Sequence, residues 1–363
     1  MCFFAAPLGN TFKLAAKPQV IDLKEDAMAQ NFMAEMIERA KATPARVCLP
    51  ESESIDVVQL GERIVAEGLG TPVFVGSRAG IEALAIEAGI ASFAFEVFDN
   101  TSEEGVEALA DAYLEHFDNF SRKAIIRRIK DPLLCSMVLL KLGRVDCVAA
   151  GKECPTGNVI EAAMGIVGLK EGVRSASSLG IADIPGFEGP QGSMLGLTDC
   201  AITAQPTVEE IAGIAISSAD TASALLGWEP RVAMLAFSTC GSAHHESVDV
   251  VSAAVARVHE LRPDICCDGE LQFDAAIIPS VAEHKVKRES PVAGRANILV
   301  FPNLHAGNIG VKMIQIFGHA NAYGPVLQGF KKPVCDFSRS APVDEMLGNV
   351  AMLVLLASAK DGE

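Results

Sequence analysis

The chain has 363 residues, 50% of them hydrophobic and only 6% aromatic, and its formal net charge is −16. A core built from Ala, Val, Ile and Leu suits parallel sheets covered on both faces, and the length suits two domains. The acidic balance excludes a general nucleic-acid binder, whose affinity rests on basic patches, but leaves room for a small anion held by a local Arg or Lys.

Residues 1–30 read as an N-terminal extension. The start, Met1-Cys2-Phe3-Phe4-Ala5-Ala6-Pro7, lacks the basic flank and the apolar length of a signal peptide, and helical periodicity begins near Met28 or Met33. The pattern then predicts a helix over 33–41, a strand over 46–50, a helix over 57–67, a strand over 71–76, a helix over 81–88 and a strand over 93–98. Residues 103–137 read as largely helical with a break near Pro132, and 147–151 as a strand ending in glycine. The alternation continues with strands at 175–179, 231–237, 298–302 and 324–327, and helices at 208–226, 247–260, 308–318 and 344–357. Such repetition signals mostly parallel sheets with helices on both faces, and ligand sites beyond the carboxyl ends of strands.

No apolar run reaches the ~20 residues of a membrane span. The ten cysteines form no CxxC pair and sit mostly in apolar runs, as buried free thiols of a reducing, cytoplasmic setting do; no metal site is expected.

Three loops carry chemistry. Ser238-Thr239-Cys240-Gly241-Ser242, after a predicted strand, reads either as an anion cradle at a helix N-terminus or as a plain helix cap. His244-His245 reads as a solvated pair rather than metal ligands, since adjacent residues point apart on a helix. Asn308, closing a Pro302-Asn303-Leu304-His305-Ala306-Gly307 loop, is either the cap of the next helix or a ligand contact. In Asp336-Phe337-Ser338-Arg339-Ser340, Arg339 is either a planar fork for phosphate or a surface cation before a helix; Ser338 is a hydrogen-bond donor, and Asp344 and Glu345 supply carboxylates in the next turn.

These runs carry a resemblance. The segments 268–276, 290–297, 301–308 and Tyr323-Gly324-Pro325-Val326-Leu327-Gln328-Gly329, with 199–202 and 215–222, resemble the phosphate acetyltransferase/phosphate butyryltransferase family. The 238–242 loop matches the family's Ser-Thr-x-Gly-Ser. The resemblance implies two three-layer α/β/α domains of the isocitrate/isopropylmalate dehydrogenase kind, with mostly parallel sheets and a cleft between them. The first would comprise 31–172 plus 328–363, the second 173–327.

It also implies a homodimer, and transfer of a short acyl group such as acetyl between coenzyme A and phosphate, with coenzyme A, acyl phosphate and phosphate as substrates and no resident cofactor or metal. The roles implied are catalytic for Ser338, Arg339, Glu345 and Asp344, and substrate-binding for Ser238, Thr239, Gly241, Ser242, Asn308, Tyr323 and Lys152. The chain departs from the pattern where Asp56 and Glu161 stand in place of arginines and Cys335 in place of an asparagine. Those acidic residues support a second reading, an impaired family member that binds coenzyme A or an acyl-CoA as a regulatory protein, while Lys152 offers a nearby cation.

Overall fold

The computed structural model describes residues 23–90 and 92–359. Its elements are α1 (Leu23–Ala40), β1 (Ala45–Leu49), α2 (Ile55–Ala66), β2 (Gly70–Val75), α3 (Arg78–Glu87), β3 (Glu96–Phe98), α4 (Glu103–Leu114), α5 (Arg122–Ile129), α6 (Pro132–Lys141), β4 (Cys147–Ala150) and α7 (Thr156–Ala162). After a π turn at Ala163–Val167 come β5 (Ser177–Asp183), β6 (Met194–Thr198), α8 (Val208–Leu226), β7 (Arg231–Leu235), α9 (Glu246–Leu261), β8 (Cys266–Leu271), α10 (Phe273–Ile277) and α11 (Pro279–Lys285). The chain closes with β9 (Ile298–Val300), α12 (Leu304–Phe317), β10 (Asn321–Gln328), β11 (Val334–Asp336) and α13 (Val343–Ser358).

Two sheets organise these elements, a five-stranded one in the order β11-β4-β1-β2-β3 and a six-stranded one in the order β10-β5-β6-β9-β7-β8. Every pairing in the first is parallel; in the second, β10–β5 and β5–β6 are antiparallel and the rest parallel. The expected mixed α/β architecture with mostly parallel sheets is therefore present. Period-two alternation explains the layering: Val47 and Leu49 of β1 enter one core with α2 and α13, while Cys48 enters another with α4, α5 and α6. In the second sheet, Val232 and Met234 of β7 face α8 and α9, whereas Ala233 and Leu235 face the α10 side.

Local chemistry fixes the ends. Helix α8 begins at a capping box in which Thr207 and Glu210 satisfy each other's backbone amides, and ends at Gly227 with φ 67°. The segment 103–137, expected to be largely helical with a break near Pro132, is three helices: Asp131 caps a new one at that break, and Ser121 caps another that the pattern did not announce. Strand β3 is shorter than expected, and β6, β8 and β11 lay outside the predicted strands. Helix α1 starts at Leu23, so the last part of the expected N-terminal extension belongs to its first turns; residues 1–22 lie outside the described residues. Phe32 and Met36 of α1 are buried against the α13 side of the first core, and the Phe32 ring lies 4.5 Å from that of Tyr323.

The chain passes between the sheets twice, and the two crossings are tied together. Leu169 and Phe330 form an antiparallel bridge, and Lys170 N–H and Lys331 N–H donate to the carbonyls of Gly329 and Gly168 at 2.8 and 3.0 Å. The strand order sets β11, β4 and β1 side by side and parallel, so the loops after their carboxyl ends are neighbours.

Candidate active site

The loop after β1 carries Glu51, whose carboxylate accepts three backbone amides from the loop after β4. Lys152 N–H donates at 2.9 Å, Glu153 N–H at 3.0 Å and Cys154 N–H at 2.9 Å. Successive amides turned toward one point make an anion-binding nest, and here the anion is the chain's own. Lys152 reinforces the join: its Nζ lies 2.7 Å from Asp56 Oδ2 and 2.9 Å from the Ala341 carbonyl oxygen, which belongs to the loop after β11. With only 10% of its side chain exposed, Lys152 is a strut that ties the loop after β4 to the first turn of α2 and to the loop after β11. Lys152, expected to contact substrate, has its charge paired with Asp56.

Asp336 ends β11. Its Oδ2 accepts the Thr156 hydroxyl at 2.6 Å, while its Oδ1 is buried without a partner among the described residues. The Gly151 backbone lies against it: a Cβ there would stand 2.1 Å from Oδ1, and φ is +99°, so glycine is required on both counts. Burial pushes the Asp336 carboxyl up to about 6, against the lowering effect of the Thr156 bond and with a further upward push from Glu51.

In front of this support lies a cavity of about 360 Å³ lined by Gly151, Cys154, Thr156, Phe337, Ser338, Arg339 and Ser340. Arg339 is exposed and makes no ion pair or hydrogen bond among the described residues. Its fork is therefore available for an anion. The Ser338 hydroxyl lies 3.0 Å from that of Ser340, and the Ser338 carbonyl accepts Ala341 N–H, which closes the turn. The Cys154 thiol is pushed up to about 12 by burial and then by Glu51, so it stays protonated and is no nucleophile at neutral pH.

The two carboxylates of the next turn differ. Asp344 is paired with Arg63 at 2.7 Å. Among the described residues Glu345 has no such partner; partial loss of water raises its carboxyl above the ordinary glutamate range, and the Lys152 charge opposes that rise. The residue as a whole is exposed and neither carboxylate is among the cavity's lining residues. Glu161 is exposed on α7.

The expected anion cradle at 238–242 is built, but it is filled. Ser238 Oγ donates to Glu270 Oε1 at 2.9 Å, Gly241 N–H donates to the same oxygen at 2.7 Å, and Ser252 Oγ donates to Oε2 at 2.9 Å. Burial pushes the Glu270 carboxyl up, yet these donors hold it below its ordinary range. Ser242 Oγ accepts Thr239 N–H at 3.0 Å, and Thr239 is otherwise engaged with Gln272. Ser238 and Thr239, expected to contact substrate, are buried and hydrogen-bonded within the fold, whereas Gly241 and Ser242 are exposed.

Asn308 caps nothing: Asn303 caps α12, and Asn308 Nδ2 donates to the Cys200 carbonyl at 3.2 Å from within the helix. The Tyr323 hydroxyl is buried without a partner among the described residues, and burial followed by the charge of Asp183 pushes it up to about 12. His245 caps α9 through its own ring, with Ser247 N–H donating to Nδ1 at 3.1 Å. Among the described residues no group of His, Cys, Asp and Glu is arranged to hold a metal.

Of the residues singled out in the sequence, then, the cavity brings together Ser338 and Arg339, with Lys152 behind it. Sequence reasoning missed Asp336, Thr156, Cys154 and the nest-filling role of Glu51. Gly151 at a strand's end was the available signal for a close backbone approach.

Comparison with known proteins agrees with this architecture. A sequence profile described as phosphate acetyl/butaryl transferase matches residues 31–354. The phosphate acetyltransferase of Clostridium acetobutylicum is 38% identical over 322 residues, covering 88% of this chain and 96% of that protein. That of Thermoanaerobacterium thermosaccharolyticum is 37% identical over 324 residues, 89% of this chain and 98% of the other. A crystal structure of a phosphotransacetylase from Streptococcus pyogenes superposes with a TM-score of 0.82 at 30% identity, covering 90% of this chain and 98% of that one.

The raised Asp336 carboxyl yields a stability prediction. The folded form binds a proton more readily than the unfolded chain, so the cost of ionising it is absent below the ordinary value near 3.8 and complete above about 6. Asp336→Asn, which keeps an acceptor for Thr156, should raise the thermal midpoint at pH 7.5 and raise it less at pH 4.5. Calorimetric scans at the two pH values check this; an equal shift at both would contradict it.

Proposed function

The chain belongs to the phosphate acetyl/butyryl transferase family, and on that premise we propose that it transfers a short acyl group, acetyl first among them, between coenzyme A and phosphate. The observation that carries the reading is Arg339, a guanidinium unpaired among the described residues, in the wall of a cavity of about 360 Å³ with the Ser338 hydroxyl beside it. In the direction of acyl phosphate formation, a phosphate oxygen attacks the thioester carbonyl, the C–O bond forms, the C–S bond breaks, and coenzyme A departs as a thiolate that takes up a proton. In reverse, the thiol loses its proton to a base and the thiolate expels phosphate.

Arg339 holds the phosphoryl oxygens through two parallel N–H donors. Ser338 donates to the oxygen on which negative charge develops. Glu345 is the base we assign to the thiol proton, in preference to Asp344, whose carboxylate is occupied by Arg63. Its raised affinity for protons brings it nearer the working pH, as a general base requires, and activity through it is lost as pH falls through its raised pKa. Coenzyme A acts as substrate, and no resident cofactor is invoked. The free, largely buried cysteines suit a cytoplasmic location.

A second copy of the chain is the partner we assign. Helix α12 exposes Ile309, Met313, Ile316 and Phe317 by 57, 53, 66 and 77%. Their spacing puts all four on one face of the helix, an apolar stripe of the kind that symmetric subunit contacts cover.

Purified protein given acetyl-CoA and phosphate should form acetyl phosphate. Arg339→Ala should lower turnover by at least ~100-fold, the scale for removing one preorganised charge stabiliser, and Arg339→Lys should remain poor because a point charge cannot replace the fork. Absence of acyl transfer with acetyl, propionyl and butyryl donors would refute the reading.

Light scattering at micromolar concentration should give twice the 38.2 kDa chain mass, and Phe317→Glu should return it to one. A monomer for the unaltered chain would rule the dimer out.

A further inference from the structure

The Thr156 hydroxyl has one proton, and that proton is committed to Asp336 Oδ2 at 2.6 Å. Its oxygen has only lone pairs left to offer. Thr156 is exposed and lines the cavity that also holds Arg339, whereas Asp336 is 7% exposed and is boxed in by the Gly151 backbone. An ionised carboxylate cannot donate, so the hydroxyl cannot turn round without giving up its bond. The cavity thus combines a free cation with an oxygen fixed as an acceptor.

Two common oxyanions share the size and tetrahedral shape that would enter such a cavity. Hydrogenphosphate keeps an O–H at neutral pH and can donate to a fixed acceptor. Sulfate has none, so its oxygen would face the threonine lone pairs with no proton between them and gain no hydrogen bond there. Resting on the reading that this cavity takes phosphate, we propose that Thr156, positioned by Asp336, is the acceptor for the phosphate O–H and selects hydrogenphosphate over sulfate.

The device depends on Asp336 being ionised. The titratable groups that face its carboxyl are Glu51 from the loop after β1, Cys154 from the loop after β4 and Cys335 on its own strand. Cys154 and Cys335 stay protonated because burial pushes both thiols up, so Glu51 is the charge that matters. Burial and Glu51 together push Asp336 to about 6. Below that pH the protonated carboxyl can donate to Thr156, the threonine proton is freed toward the cavity, and sulfate becomes acceptable.

The test titrates the full chain calorimetrically with inorganic phosphate and with sulfate, and measures acetyl phosphate formation with sulfate as inhibitor. Wild type should bind phosphate more tightly than sulfate at pH 7.5, and the preference should shrink at pH 5. Thr156→Val should narrow it by about 10-fold or more, the scale of one hydrogen bond to a charged group. It should also raise KM for phosphate while leaving KM for acetyl-CoA in place; Thr156→Ser, which keeps the hydroxyl, should restore both. An unchanged phosphate-to-sulfate ratio in Thr156→Val, with wild type turning over, overturns this inference alone. A wild type that neither binds phosphate nor forms acetyl phosphate overturns the functional reading beneath it.

Discussion

The Glu51 carboxylate, held by three backbone amides of residues 152–154, is the contact on which the site depends. A parallel sheet delivers the loops after β1, β4 and β11 to one edge, but it does not fix their conformation. Glu51 does so for the second loop, turning its amides inward. Lys152 then reaches from that loop to Asp56 on one side and to the Ala341 carbonyl on the other. Asp336 and Gly151 close the remaining gap through backbone contact that tolerates no Cβ. Arg339 is left in the cavity wall with no ion pair or hydrogen bond among the described residues.

The same device recurs in the second sheet. Glu270 fills the Ser238–Ala243 loop, and Asp199 accepts the amides of Ser178, Ala201, Ile202 and Thr203. Three strand-end loops that would suit an external anion are thus occupied by the chain's own carboxylates. This bears on the acidic substitutions at 56 and 161. Asp56 adds no free negative charge beside the cavity, because Lys152 neutralises it; Glu161 remains exposed on α7.

Much of the fold was legible in the sequence. Apolar strands of four to seven residues alternating with amphipathic helices gave the mixed, mostly parallel architecture, and helix α8 was read end to end because its capping box and Gly227 are local signals. Strands β6, β8 and β11 escaped because Gly and Asp interrupt their apolar patterns, as at Gly196, Asp268 and Asp336. Helix α12 began earlier than expected because Asn303, not Asn308, caps it.

The site was half legible. Ser338 and Arg339 stand out as a donor and a cation after a strand, and they do meet in one cavity. Long-range pairings could not be read: Glu51 with an amide nest 101 residues away, or Thr156 with a carboxyl 180 residues away, leaves no mark in local spacing. The 238–242 loop read either as an anion cradle or as a plain helix cap, and spacing could not decide between them, because the occupant, Glu270, lies 32 residues beyond Ser238.

The most direct measurement on this account is the acetyl-transfer rate of Glu51→Gln. The amide keeps the shape of the side chain but loses its charge and turns one acceptor into a donor that faces a backbone N–H. Charge-assisted bonds are worth roughly 1.5–3 kcal/mol each, so kcat/KM should fall by about 10-fold or more while circular dichroism shows the fold retained. A Glu51→Gln protein with the kcat/KM and thermal midpoint of the unaltered chain would contradict the claim that this carboxylate organises the site.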